Sequence, residues 1–232
     1  MIDYKAYFTL SYGLYIVSSG DRNTGNGFIA NSVFQVTADP PRIAVSCNKN
    51  NHTFKFLEKY GLFALSVLAQ DASPEIISDF GYKSGNVFDK LRNHQVIYGE
   101  TGVPVISADC LSYMECKVVQ TFEVGTHVIF IGELMHSVML DETRKCMTYD
   151  YYRNVKRGAA PKNAPTYVDK SLLDPVKKDN INFQSYKCSV CGYVYDESQG
   201  DESQGVMPGT KFSDVSDLWK CPLCGTGKED FE

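Results

Sequence analysis

The stretches Cys188-Ser189-Val190-Cys191-Gly192 and Cys221-Pro222-Leu223-Cys224-Gly225 decide the fold of the C-terminal part of the chain. In each stretch, two residues between the cysteines allow both thiolates to reach one metal ion, and two such stretches complete a tetrahedral site of four sulfurs. The glycine after each second cysteine permits a tight turn, which lets backbone N–H groups point at sulfur. The expected metal ligands are Cys188, Cys191, Cys221 and Cys224.

The sequence between the two stretches bears on the choice between iron and zinc. Cys191 and Cys221 are separated by 29 residues, whereas a zinc ribbon typically has about 15–20 residues at that place. The segment is also rich in aromatic side chains, which we expect to form a small dry core beside the metal. These are Tyr193, Tyr195, Phe212 and Trp219, together with the flanking Tyr186 and Phe231.

Residues 183–232 resemble rubredoxin. Rubredoxins hold one iron ion on four cysteines and pass one electron, so the resemblance implies iron and electron transfer, with a structural zinc site as the alternative. Two departures leave the ligands untouched: Leu218 stands where a second acidic residue is common, and Asp-Glu-Ser-Gln-Gly occurs in tandem at 196–200 and 201–205. Besides the cysteine stretches, the resemblance is carried by Tyr186-Lys187, Tyr193-Val194-Tyr195-Asp196, Pro208-Gly209-Thr210, Phe212 and Asp217-Leu218-Trp219.

Charge limits the kinds of partner that the chain can have. The 232 residues carry a formal net charge of −5, and no large basic patch stands out, which disfavours nucleic-acid binding. Residues 181–232 hold nine acidic residues and four lysines. Such an acidic domain could dock on a basic partner, or the charge could simply be a solvated surface.

The polar N-terminal residues and the spacing of the cysteines predict where in the cell the protein is located. The first residues are polar, and no apolar run approaches the ~20 residues that a membrane helix needs. We therefore expect a soluble, cytoplasmic protein with no membrane contact. The other four cysteines are scattered without pair spacing and are expected to be reduced thiols: Cys47, Cys110, Cys116 and Cys146.

Patterns typical of strands dominate residues 1–157. Helices are expected over 54–60, capped by Asn50 or Asn51 and ended by Gly61, and from Ser73-Pro74 to Gly81, with a further helix beginning within 146–157. Seven or so strands with few helices predict a mainly β fold, an antiparallel barrel or sandwich with helices over its ends. The expected strands are 13–18, 26–37 (one or two strands), 42–47, 62–68, 95–99, 103–107, 110–122 and 127–139.

A one-iron site implies a second redox group. NAD(P)H gives two electrons together as hydride, which a single iron cannot accept. Flavin accepts hydride and releases single electrons, so the metal site predicts a flavin in this chain or in a partner. Ser46-Cys47-Asn48-Lys49 leads into the expected helix, and amides, hydroxyls and a cation there suit a phosphate. Alone the signal is weak, because Asn-rich loops before helices are common and simple helix capping is the more frequent explanation.

The order of segments strengthens that interpretation. Residues 30–41, a short strand, then the loop at 48–53 and its helix resemble the flavin reductase-like split barrel, as do Phe80-Gly81 and the segment 125–133. The resemblance covers roughly residues 5–157 and implies an FMN-binding antiparallel split barrel, usually a homodimer with flavin near the subunit interface. The flavin contacts that it implies are Asn31, Ser32, Gln35, Ser46, Asn48, Lys49, Asn51 and Thr53.

Other residues near this site have two interpretations each. His127 falls where the family places a histidine near the nicotinamide, although Thr126 replaces the common Asp; a structural histidine at a strand end is the alternative. Tyr149, Tyr151 and Tyr152 could stack on flavin, but they could equally pack a dimer or a linker.

The two domains in this order resemble the high-molecular-weight rubredoxins of anaerobic bacteria. We expect a split barrel at 1–157, a Pro-bearing linker at 158–182 and the rubredoxin-like domain at 183–232. The resemblance implies that NAD(P)H reduces FMN, which passes single electrons to the four-cysteine iron and on to a flavo-diiron oxygen or nitric oxide reductase. The alternatives are electron transfer from a separate reductase, release of diffusible reduced flavin to a monooxygenase, and a zinc-stabilised flavin-binding module.

Overall fold

The computed structural model describes residues 2–169, 172–173 and 183–232. Its strands are β1 (Tyr15–Gly20), β2 (Gly25–Ala30), β3 (Val33–Ala38), β4 (Pro41–Asn48), β5 (Leu62–Leu68), β6 (Val96–Tyr98), β7 (Pro104–Ile106), β8 (Cys110–Val124), β9 (His127–Met139), β10 (Ser185–Lys187) and β11 (Val194–Asp196). Its α-helices are α1 (Phe54–Tyr60), α2 (Pro74–Gly81) and α3 (Tyr149–Asn154). Short 3-10 helices cover Tyr4–Thr9, Glu202–Gln204, Phe212–Asp214 and Lys228–Asp230.

Seven strands form one antiparallel sheet in the order β2-β1-β5-β8-β9-β4-β3. The long hairpin β8–β9 lies at the centre of the sheet, since β5 pairs with the outer side of β8 and β4 pairs with the outer side of β9. Separate two-stranded sheets join β6 to β7 and β10 to β11. The expected mainly β, antiparallel split-barrel class with few helices is therefore confirmed.

Local side chains and backbone conformations determine where the helices begin and end. Gly61 has φ +59° after α1, a conformation that glycine adopts without steric cost. Ser73 accepts a hydrogen bond from the Ile76 amide at the start of α2, and Pro74 occupies its first turn. The expected asparagine cap of α1 is wrong by about two residues: the helix begins after Thr53, and the Asn51 carboxamide oxygen accepts from the Thr53 amide at 3.0 Å.

The segment 26–37, expected as one or two strands, is two strands separated by Asn31-Ser32. The elements differ from the sequence pattern in two places. β8 extends through Val124, so the hairpin turn is only Gly125-Thr126, with Gly125 at φ +54°. The 3-10 helix Tyr4–Thr9 has no apolar periodicity and was not expected, because its side chains are not buried.

The buried side chains form three apolar clusters: one inside the barrel, one that runs from the barrel into the C-terminal domain, and a small third one around Ala64 and Val105. The first includes Val17, Phe63, Cys116 and Phe130. The second joins barrel residues such as Ile76 and Tyr152 to the metal-binding domain. In the described residues, the two domains therefore share a continuous apolar contact, which removes water from the region between them.

The segment after α3 packs along the barrel. The Asn31 amide donates to the Thr166 hydroxyl at 2.6 Å, and His127 Nε2 donates to the Asn163 carbonyl at 3.2 Å. Residues 170–171 and 174–182 of the expected linker lie outside the described residues. The domain boundaries at 157 and 182 stay a prediction.

No helix in the described part of the chain is both long enough and apolar enough to cross a lipid bilayer.

The crowded pairing of β8 with β9 yields a stability prediction. A Cβ atom added at Gly132 would lie 2.5 Å from a ring carbon of Phe63 and 2.7 Å from Cys116 Cβ. Gly132→Ala is therefore expected to destabilise the barrel by about 1–3 kcal/mol through overpacking, measured by denaturant unfolding. In Gly81→Ala, the added carbon meets Ile29 at an ordinary 3.4 Å, and no comparable loss is expected. Equal stability of the two variants would contradict this account.

Candidate functional site

Four cysteine sulfurs converge in the C-terminal domain, all within 4.8 Å of one another. The Sγ atoms of Cys188 and Cys224 are 3.7 Å apart, and those of Cys191 and Cys221 are 3.5 Å apart. A tetrahedral ion with metal–sulfur bonds of about 2.3 Å requires sulfur separations of about 3.8 Å. The side chains thus fit a single tetrahedral metal ion with little rearrangement.

Both metal-binding loops share one backbone pattern. The amide of Cys188 donates to the Tyr193 carbonyl at 2.7 Å, and that of Cys221 donates to the Thr226 carbonyl at 2.8 Å. Gly192 and Gly225 have φ of +77° and +73°, as the sequence predicts. These turns aim amides at sulfur: the Tyr193 N–H donates to Cys191 Sγ at 3.5 Å. Such donors stabilise negative charge on the thiolates.

The four thiols differ in exposure and in proton affinity. Cys188, Cys191 and Cys221 are buried, while Cys224 is half-exposed. Hydrogen bonding with Cys191 and Cys221 lowers the pKa of the Cys224 thiol, and hydrogen bonding with Cys221 raises the pKa of Cys191. The four cysteines are thus not equivalent: three are enclosed, and Cys224 is partly open to solvent.

The expected aromatic core lies beside the metal-binding loops. Tyr195 and Trp219 are buried, with ring centroids 5.7 Å apart in an edge-on arrangement. The Trp219 indole N–H donates to the buried Asp201 carboxylate at 2.8 Å. Buried Glu197 accepts from the amides of Gln184 and Phe212, both at 2.9 Å. The tandem repeat thus supplies one buried acid from each copy to this small domain.

A cavity of about 230 Å³ opens on the barrel beside this domain. A second cavity of about 450 Å³ adjoins it and shares six lining residues with it, among them Ser46 and Asn48. The polar lining of the first cavity comes from β4, the loop before α1 and the segment after α2. Its apolar and aromatic lining includes Leu14, Ile77 and three tyrosines. A ligand with a charged tail and a flat apolar ring matches that distribution.

Four of the eight residues expected to contact flavin line this cavity: Asn31, Ser46, Asn48 and Asn51. The Ser32 hydroxyl lies beside them and donates to the Asn31 side-chain oxygen at 3.3 Å.

The other three expected contacts lie outside the cavity wall. Gln35 is exposed on β3. Lys49 forms an ion pair with Glu123. Thr53 is fully buried, and its hydroxyl donates to the Asn26 side-chain oxygen at 2.9 Å. These residues stay predictions as flavin contacts.

His127 lies at the start of β9 and lines the adjoining cavity. The Thr126 hydroxyl lies 2.9 Å from Nδ1, and Nε2 donates to the Asn163 carbonyl. With Nε2 as the donor, Nδ1 of the neutral ring accepts from Thr126. The histidine is thus oriented toward the segment after α3, and its catalytic role stays a prediction.

Sequence reasoning missed several polar residues of the cavity wall. His52 Nδ1 is buried and has no hydrogen-bond partner among the described residues. Lys90 is buried, and its ammonium donates to the carbonyls of Gly27 and Phe80 at 3.0 and 3.2 Å. Burial lowers the pKa of Lys90 to about 8. An unpaired buried nitrogen and a dehydrated cation in one wall suit an anionic group such as a phosphate.

The aromatic wall brings together residues far apart in the chain. Tyr82 follows α2, Tyr149 and Tyr152 lie on α3, and the segment 159–165 closes one side. The metal ligand Cys191 belongs to the same buried cluster as Tyr149 and Tyr152, with Tyr82 packed against it. The aromatic lining of the cavity therefore lies next to the metal-binding site.

Two families match the chain. Residues 7–159 match the flavin reductase like domain, and residues 185–231 match rubredoxin. Each match falls on one of the two sites described above: the cavity in the barrel and the four-cysteine cluster.

Relatives extend this result over the whole chain. A high molecular weight rubredoxin from Moorella thermoacetica is 43% identical over 231 residues, covering 100% of this chain and 99% of its own. A ferric-chelate reductase (NAD(P)H) from Archaeoglobus fulgidus is 37% identical over 168 residues, covering 72% of this chain and 99% of its own. Among solved structures, an NADH:FAD oxidoreductase from Streptomyces globisporus has a TM-score of 0.55 and 25% identity, over 62% of this chain and 83% of its own. The chain belongs to the flavin reductase-like family and carries a rubredoxin domain on the C-terminal side of it.

Proposed function

We propose that this chain is an NAD(P)H-oxidising flavoprotein that passes single electrons through a four-cysteine iron centre to an external acceptor. The observation that carries the proposal is the buried cluster that Cys191 shares with Tyr149 and Tyr152, because both tyrosines also line the cavity. Relatives named as NAD(P)H- and NADH-dependent reductases support the choice of electron donor.

The residues of the cavity fit FMN. Bound flavin would supply the conversion of a two-electron hydride into single electrons. Asn48, Asn51, His52 and Lys90 would hold its phosphate through amide, imidazole and ammonium donors, while Asn31 would contact the ribityl chain or the ring edge. The tyrosine wall would cover the ring and exclude water.

Oxidation of one NAD(P)H to NAD(P)⁺ and one proton releases two electrons. The described residues form one four-cysteine site, so its iron would be reduced from ferric to ferrous twice and would pass its electron to the external acceptor after each reduction. The four cysteines would hold the iron in both oxidation states. His127 lines the adjoining cavity, and we propose that it contacts the nicotinamide as it enters.

The acceptor is proposed to be a flavo-diiron oxygen or nitric oxide reductase. The acidic C-terminal domain supports a partner with a basic docking surface, because opposite charges speed association. We also propose a cytoplasmic location. Free thiols at Cys47, Cys110, Cys116 and Cys146 support a reducing compartment.

A homodimer is part of the proposal. Strands β3, β8 and β9 carry large apolar side chains that are 44–60% exposed: Phe34, Val36, Phe122, Val124, Met135 and Met139. β3 is also an edge strand of the seven-stranded sheet. An apolar edge of this kind is prone to aggregation unless another surface covers it, and a second copy of the chain is the partner we propose.

The visible spectrum under anaerobic conditions tests the proposed function. Purified protein is expected to show a flavin band and ferric-thiolate bands, both of which NADH or NADPH should bleach. If dithionite bleaches both while neither nucleotide bleaches either, a separate reductase is the electron donor. Protein that lacks flavin as purified and binds added flavin weakly would support release of diffusible reduced flavin. Absence of ferric-thiolate bands, with zinc bound, would overturn the relay.

Replacement of one metal ligand separates the two redox steps. Cys188→Ser should abolish electron transfer to the acceptor because it removes a metal ligand. It should leave NAD(P)H-driven flavin bleaching intact, because Cys188 does not line the cavity. Cys146→Ser, at an exposed free cysteine, is the matched control and should preserve both. Loss of flavin bleaching in Cys188→Ser would argue against a relay.

The dimer can be tested at the hairpin β8–β9. Phe122→Lys places a charge on the apolar face and should yield a monomer in analytical ultracentrifugation, since burying an unpaired charge is costly. Val87→Lys, at an 88% exposed residue in the loop after α2, should leave the dimer unchanged. A monomeric unsubstituted chain would rule out the dimer.

A further inference from the structure

Tyr82 and Tyr152 connect the two sites. Both side chains belong to the aromatic lining of the cavity. Tyr152 is 4% exposed and belongs to the buried cluster that contains Cys191 and Tyr193, and Tyr82 packs against that cluster. The two rings therefore belong at once to the wall of the cavity and to the contact with the metal-binding loop.

A chain of hydrogen bonds fixes the pair. The two hydroxyl oxygens are 2.7 Å apart, and the Tyr82 hydroxyl donates to the Ala159 carbonyl at 2.7 Å. Since Tyr82 has only one proton to donate, the Tyr152 hydroxyl donates to Tyr82. The arrangement links α3, the residue after α2 and the segment that follows α3.

Gly158 locks the Tyr152 ring in place. Its amide donates to the Tyr152 carbonyl at 2.9 Å, and a Cβ atom there would run into the Tyr152 ring. The chain thus crosses close over the ring, where a side chain larger than glycine would not fit. Burial raises the pKa of both Tyr82 and Tyr152, so the pair stays protonated and neutral.

We propose that Tyr82 and Tyr152 are positioning residues that hold the Cys191 side of the metal centre against the flavin cavity and give the electron its path between them. The use of this path rests on the proposed function, whereas the contact itself does not. One electron crosses for each ferric ion reduced to ferrous, and the hydroxyl protons stay on the tyrosines.

The contact can be tested without any redox activity. In the full chain loaded with zinc in place of iron, Tyr152→Phe and Tyr82→Phe should shift the amide NMR signals of Cys191, Gly192 and Tyr193. Tyr151→Phe is the matched control, because Tyr151 lies on the same helix but does not line the cavity. Signals of the metal-binding loop that do not respond to either variant would overturn the proposal.

The path is tested by the rate of electron transfer within the iron-loaded protein with FMN bound. Reducing the flavin by light in the presence of EDTA bypasses NAD(P)H, so failure of nucleotide oxidation does not obscure the result. Each Phe variant should slow iron reduction about fivefold, the factor that corresponds to losing one hydrogen bond. The double variant should be no slower than Tyr82→Phe, since that substitution already removes both the bond to Tyr152 and the bond to the Ala159 carbonyl.

Two further measurements distinguish a loss of positioning by Tyr82 and Tyr152 from a general loss of folding or of metal-site integrity. The reduction potential of the iron should match that of Tyr151→Phe, because the ring and its packing are kept, and the melting temperature should fall by only about 2–4 °C, as expected for the loss of one hydrogen bond. Unchanged rates in both Phe variants, or effects that multiply in the double variant, would overturn the proposal. If one variant fails to fold, the other still tests the same hydrogen bond.

Discussion

The packing of the metal-binding loop at Cys191 against Tyr82 and Tyr152 is the contact on which the arrangement of the two sites depends. Each domain has its own reason to fold: the sheet forms on the long β8–β9 hairpin, and the small domain on its aromatic core and four cysteines. Neither reason fixes where one domain lies relative to the other. The relative position of the domains is fixed by the shared apolar cluster and the buried Tyr82–Tyr152 hydroxyl pair, since separating the domains would expose the cluster and the hydroxyl pair to water.

Much of the fold could be predicted because its signals are local. The Cys-x-x-Cys-Gly spacing, Gly61 after α1 and the Ser73-Pro74 start of α2 each report a constraint that acts within a few residues. Alternation along the first half of β9 likewise shows which residues face inward, whereas β8 departs from the pattern because Glu115 is fully buried. Boundaries were less accurate where pairing rather than composition decides, as at the far end of β8, which continues through polar Glu123 to Val124 because β9 supplies its partner.

The candidate site was predictable only in part, because its wall is assembled from distant segments. Asn31, Ser46, Asn48 and Asn51 come from neighbouring strands and one loop, which the order of motifs could indicate. Lys90 approaches through a long surface segment without a recognisable pattern, and a buried lysine cannot be told from an exposed one by sequence. The segment 159–165 has the composition of an extended linker, yet it closes one side of the cavity, since its prolines and alanines pack against tyrosine rings.

The tandem pentapeptide of the small domain holds two identical sequences in unlike surroundings. Glu197 of the first copy is buried and accepts two amides, whereas its counterpart Glu202 is exposed. Gly200 passes close to the backbone of Met207, while nothing crowds Gly205. The fold therefore does not require the copies to match. Loss of the Glu197 carboxylate would leave the Gln184 and Phe212 amides without their acceptor, whereas the same change at Glu202 would alter only the surface.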